Sequence, residues 1–140
     1  MRPGDSLLLG ADLRKPLDVL IPAYDDALGV TAAFNRNLLV RINRELGANF
    51  DLSQFEHHAI FNHQTNSMEM HLRSRIPQQV TIADAGAAFN FEKDETIWTE
   101  SSHKYSREEL TELARSSGFR CQSQWIGPEW AFAENLWIAQ

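Results

Sequence analysis

The chain has 140 residues, 43% of them hydrophobic and 23% charged, which suits one folded domain and excludes disorder, collagen-like repeats and low complexity. A net charge of −6, with Lys and Arg scattered, argues against a nucleic-acid partner, because such a surface needs a clustered positive field. One cysteine, Cys121, forms no internal disulfide and points to a reducing cytoplasm, and no apolar run approaches the roughly 18 residues of a membrane span.

The N-terminus carries no signal peptide, since Met1–Asp5 leads only into a short apolar stretch broken by Gly10. Ser6–Leu13 is a near-continuous apolar run containing Asp12, the pattern of an inner parallel strand covered on both faces. No other segment resembles a parallel neighbour, so the expectation is that a part preceding Met1 is missing. Arg14–Pro22, with two prolines, reads as a connection with one helical turn. Residues 29–46 predict the best helix, with Val30, Phe34, Leu38, Ile42 and Leu46 as its apolar stripe and Asn35, Arg36, Asn43 and Arg44 elsewhere. Asp25 and Asp26 precede it, where negative charge suits the helix dipole, and Gly47 ends it.

From Phe55 the period becomes two. Met68, Met70 and Leu72 alternate with Glu69, His71 and Arg73, and Gln64–Ser67 supplies a turn before them. Strands are predicted at Gln79–Ala83, Ala87–Phe91 and Thr96–Ser102, making 55–102 an antiparallel meander. Ser106 and Glu109 form a capping box that opens a helix to about Ser117, closed by Gly118. Strands Phe119–Ile126 and Ala131–Ala139 end the chain as a hairpin. Trp125, Trp130 and Trp137 in it read as packing.

Three segments carry a resemblance. The run Ala23-Tyr24-Asp25-Asp26-Ala27-Leu28-Gly29-Val30-Thr31-Ala32-Ala33-Phe34-Asn35-Arg36-Asn37 is similar to the "AYDD…GVTAxFNxN" signature of the histidine-specific methyltransferases, which use S-adenosylmethionine (SAM) to methylate the histidine α-amine in ergothioneine biosynthesis. Thr99-Glu100-Ser101-Ser102-His103-Lys104-Tyr105 resembles that family's "TExSxK(F/Y)" segment, and Met68–Arg73 its "IEMxLR" strand. The resemblance runs from Gly4 to the end and implies an α/β fold: the C-terminal portion of a Rossmann-like SAM methyltransferase with an inserted α+β antiparallel substrate domain. Residues 1–15 and 104–140 are then expected at the edge of the methyltransferase sheet, and 16–103 as the substrate-binding insert.

The resemblance also implies roles. Tyr24 matches a tyrosine that holds the substrate carboxylate; as a bare residue its commoner reading is a core tyrosine whose hydroxyl meets a backbone carbonyl. Glu100 and Ser102, two apart on a strand, share a face, where a carboxylate and a hydroxyl grip both nitrogens of an imidazole. Taken without the motif they read as a solvated strand face, but Trp98 beside them argues that the face is covered. Met70 is similar to a methionine lining the side-chain pocket, with core filling as the alternative. All four are expected to converge on one concavity.

No catalytic acid–base pair is expected, because methyl transfer to a neutral amine mainly requires orientation and exclusion of water. Asp12 is either a ligand-facing residue at a strand's carboxyl end or a turn residue. His57, His58, His63, His71 and His103 crowd the middle without a zinc motif, so no metal is expected. The glycine-rich loop and strand-ending carboxylate that hold SAM are absent from these residues, which puts the cofactor site largely in the missing N-terminal part. The implied function is Nα-methylation of histidine, with this fragment alone inactive. The alternatives are a relative acting on another amino acid or an indole derivative, or an inactive binding module. The small-molecule partner is histidine, with self-association through an exposed strand edge as a further expectation.

Overall fold

The computed structural model describes all 140 residues, in a mixed α/β arrangement whose assigned pairings are antiparallel apart from one isolated parallel bridge. In chain order the elements are β1 (Ser6–Asp12), α1 (Leu17–Tyr24), α2 (Val30–Leu46), β2 (Phe55–Asn62), β3 (Ser67–Ser74), β4 (Gln78–Ile82), β5 (Ala87–Phe91), β6 (Thr96–His103), α3 (Arg107–Ser116), β7 (Phe119–Ile126) and β8 (Phe132–Ala139). None of the helices is long and apolar enough to cross a membrane. The chain divides into two compact units, one of residues 1–16, 63–67 and 103–140, the other of 17–62 and 68–102.

The first unit is built on a three-stranded sheet of order β1-β8-β7. β1 runs antiparallel to β8 in the register Leu8↔Leu136 and Gly10↔Glu134. β8 is the strand partner of β1 among these residues, and the parallel neighbour expected for an inner strand is not among them. β1 is an edge strand of this sheet, and Leu8 is 66% exposed. Its partner, in the terminal hairpin, lies more than a hundred residues on. A Cβ at Gly10 would sit 2.9 Å from the tip of the Phe132 ring, which would have to swing aside. The buried core of this unit is Ala11, Leu13, Leu110 and Ala133. α3 opens on the capping box: Ser106 Oγ accepts from the Glu109 amide at 3.1 Å, and the Ser106 amide donates to Glu109 Oε2 at 2.6 Å. The hairpin tryptophans split. Trp137 is buried, whereas Trp125 and Trp130 stand exposed around the β7–β8 turn and are not core packing in this chain.

The second unit holds α1, α2 and two sheets, β2-β3-β6 and the pair β4-β5. The expected single meander is thus broken, since β6 returns beside β3 and leaves β4 and β5 as a separate hairpin. The connection after β1 contains a two-turn helix, α1, despite Pro22, with Leu20 buried as its anchor. α2 has the expected span but a different inward face. Asn35 and Leu39 are its buried residues, while Val30, Phe34, Leu38 and Leu46 are exposed. The cause is geometric: a strict four-residue repeat drifts by about 40° per step on a 3.6-residue helix, so the stripe winds around the axis. Only Ile42 of that stripe joins the core of Leu39, Phe50, Phe55, Leu72 and Val80. β3 alternates as expected, yet both its faces are buried, including Glu69 and His71.

Candidate functional site

α2 begins at Gly29, whose φ of 72° suits glycine and leaves the helix without a cap from its own N-cap side chain. Asp26 supplies one instead: its carboxylate accepts from the amides of Val30 at 3.0 Å and Thr31 at 2.8 Å. Those amides hold its pKa down to about 2. The aspartates of the first motif therefore include a helix-start residue, and the segment carrying Tyr24 is tied to α2.

The Tyr24 hydroxyl donates to Ser102 Oγ at 2.9 Å, joining residues 78 apart in sequence. Ser102 is half-buried on β6, whereas Glu100 is exposed. Along β6 the alternation of exposed and half-buried positions slips at Glu100 and Ser101, which are both exposed. Trp98 does not cover this strand: it is 60% exposed, stacks on His71 with ring centroids 6.1 Å apart, and donates from Nε1 to the Glu100 carbonyl at 2.9 Å.

Glu100 lines a concavity of about 210 Å³ with Phe34, Asn35, Asn37, Leu38, Arg41 and Thr99. Thr99 ties this strand to β3 by donating from Oγ1 to the Met70 carbonyl at 2.8 Å. Met70 itself is buried. The structure thus joins Tyr24 directly to Ser102, sets Glu100 against α2, and ties Met70 to β6 through its own carbonyl; of the four residues expected to share one concavity, Glu100 alone lines this one.

Behind these residues lies a polar layer that the motif matches alone did not single out. Asn35 Nδ2 lies 3.0 Å from His57 Nδ1 and donates to the His71 carbonyl at 3.1 Å, and His57 Nε2 lies 2.8 Å from the Tyr24 carbonyl. The signal available for Asn35 was its place in the "FNxN" run on a helix read at a true 3.6-residue period. His71 Nε2 lies 3.3 Å from Glu69, which also accepts from Asn62 at 2.9 Å, while His71 Nδ1 is buried without a hydrogen-bond partner. Burial pushes the His58 pKa down, assisted by Arg73 and His71 nearby. No three His, Cys, Asp or Glu side chains converge as a metal site would require.

At the end of β1, Asp12 is engaged by Lys15 and by Lys104 Nζ at 2.8 Å, the Lys104 side chain being wholly buried. Burial of Asp12 works to raise its pKa, but the two ammonium groups win and hold it below the ordinary carboxylate value. A ribose-gripping carboxylate would have to be available to a ligand, and Asp12 is committed to two lysines. Gly10 gives its space to Phe132 and cradles no ligand. The residues present here do not fit SAM.

An α/β chain that ties a tyrosine ahead of a long helix to a serine in a Glu-x-Ser strand is, by its match over residues 1–139, a member of the SAM-dependent histidine-specific methyltransferase family. Among its relatives, the histidine N-alpha-methyltransferase of Mycolicibacterium smegmatis is 45% identical over 136 residues, covering 97% of this chain and 42% of that protein. The histidine N-alpha-methyltransferase of Mycobacterium tuberculosis is 49% identical over 105 residues, covering 75% of this chain and 33% of that protein. Ergothioneine biosynthesis protein 1 of Schizosaccharomyces pombe is 26% identical over 122 residues. The chain spans less than half the length of the curated relatives it matches.

Proposed function

We propose that this chain supplies the amino-acid side of a SAM-dependent Nα-methylation of histidine. Tyr24 holds the α-carboxylate, Glu100 and Ser102 address the imidazole, and Met70 shapes the pocket around it. A carboxylate accepts from one ring N–H while a hydroxyl donates to the other nitrogen, a combination that selects imidazole over indole, which offers one donor and no acceptor. In this reading the β1-β8-β7 unit is the edge of a Rossmann-like sheet, and the α1, α2 and β2–β6 unit is the inserted substrate domain; the compact division of the chain supports it. The Tyr24–Ser102 hydrogen bond carries the proposal, because it couples the carboxylate-binding motif to the imidazole-binding one.

The test is calorimetric titration of the full-length protein with L-histidine. Saturable binding that falls on Tyr24→Phe and on Glu100→Ala is expected. Binding indifferent to both substitutions overturns the assignment.

A further inference from the structure

The carbonyl of Tyr24 can only accept a hydrogen bond, so the His57 nitrogen 2.8 Å away, Nε2, carries the proton and donates it. The other ring nitrogen of the neutral imidazole, Nδ1, then offers a lone pair. Asn35 Nδ2, 3.0 Å from it, fills that lone pair with one amide proton and gives its second to the His71 carbonyl at 3.1 Å. The amide has no alternative orientation, since turning it would set Oδ1 against two acceptors. A proton on Nδ1 would likewise set donor against donor. Four elements meet in this chain of bonds: α2 through Asn35, β2 through His57, β3 through His71, and α1 through its last residue, Tyr24.

We infer that Asn35 and His57 are positioning residues for Tyr24, locking His57 in its neutral Nε2–H tautomer so that the end of α1 is held where the Tyr24 hydroxyl meets Ser102. The inference rests on the proposed role of Tyr24 in holding the substrate carboxylate. It adds two residues that act through the backbone of Tyr24. Every amino acid presents a carboxylate, so loosening Tyr24 weakens all of them alike. Glu100, in contrast, governs preference among them.

Two measurements on the full-length protein decide it. Long-range proton–nitrogen NMR spectra, with the His57 signals identified by their loss in His57→Gln, are expected to place the proton on Nε2; a proton on Nδ1 overturns the relay. In steady-state assays at saturating SAM, His57→Leu is expected to raise KM for L-histidine roughly 10- to 100-fold, the scale on which misplacing a binding group acts. Its kcat and its preference for histidine over tryptophan should stay nearly unchanged. His57→Gln, whose amide donates from one atom and accepts at the other, should recover most of the loss. An unchanged KM in His57→Leu, or equal losses in two variants that unfold at the wild-type temperature, overturns the positioning role. If the wild-type protein binds no histidine, the proposed function fails, while the proton position on His57 still decides the relay.

Discussion

The phenol of Tyr24 and the hydroxyl of Ser102 lie 2.9 Å apart, one at the end of α1 and the other near the end of β6. A double-mutant cycle should therefore return a coupling. Tyr24→Phe and Ser102→Ala are each expected to lower stability, with an interaction energy of about 0.5–1.5 kcal/mol, the net worth of one such bond. Urea unfolding of the wild type, the two single variants and the double variant measures it. Strict additivity would mean that the bond contributes nothing.

Glu100 is the specificity prediction. Removing its carboxylate takes away a charge-assisted hydrogen bond to the imidazole, about 1.5–3 kcal/mol, or roughly 10- to 150-fold in discrimination. The ratio of kcat/KM for histidine to that for tryptophan should fall by this factor in Glu100→Ala. Tyr24→Phe should leave the ratio alone while weakening both substrates.

The ion pair at the end of β1 predicts an acid response. Lys15 and Lys104 lower the folded-state pKa of Asp12, so this carboxylate binds its proton more readily when unfolded. Its contribution is complete above the ordinary carboxylate pKa of 3.8 and is lost as pH falls through the lower folded value. Asp12→Asn should flatten that part of the stability curve. At neutral pH it should also lower stability, because the buried Lys104 ammonium loses the opposite charge it is paired with. Chemical denaturation across an acid pH series checks both.

Asp26 gives a second acid signal in a different place. Its carboxylate, held at about 2 by the amides of Thr31 and Val30, keeps capping α2 in acid that protonates ordinary aspartates. The stability it supplies should be present above its ordinary value of 3.8 and disappear as pH falls toward about 2. An NMR titration following the Val30 and Thr31 amides is expected to show them moving together with an apparent midpoint near the lower value. A midpoint near 3.8 would break the assignment of the cap.

For the chain of residues 1–140 by itself, titration with SAM is expected to give no saturable heat. Asp12 is occupied by lysines and Gly10 by Phe132, which leaves neither a carboxylate nor a glycine cradle at the end of β1. Saturable binding would place a cofactor contact within these residues.

Elements with local signals were legible in the sequence. The Ser106–Glu109 box fixed the start of α3, and β5 and β7 lie over the spans their alternation predicts. What escaped was set by neighbours distant in the chain. The polar face of β3 looks wet by pattern but is buried with Glu69 and His71 inside. In the candidate site, Tyr24 and Ser102 could be paired because motif resemblance supplied the long-range link. Asn35 and His57 could not, because an asparagine read as lying off the apolar stripe gives no hint that it faces inward.

The double hydrogen bond between Asn43 and Phe50 bears on how this chain folds. The Asn43 side chain donates to the Phe50 carbonyl and accepts from the Phe50 amide, both at 2.8 Å, across the turn where Gly47 ends α2. One amide side chain thus serves as a short piece of partner strand for the backbone that leads toward β2. The closure spans few residues, so the entropy of forming it is small and it needs no distant strand to be in place. The corner between α2 and β2 can accordingly order before the sheet assembles, giving Phe50 and Phe55, whose rings meet edge-on at 5.6 Å, an early surface for the rest of the core to condense upon.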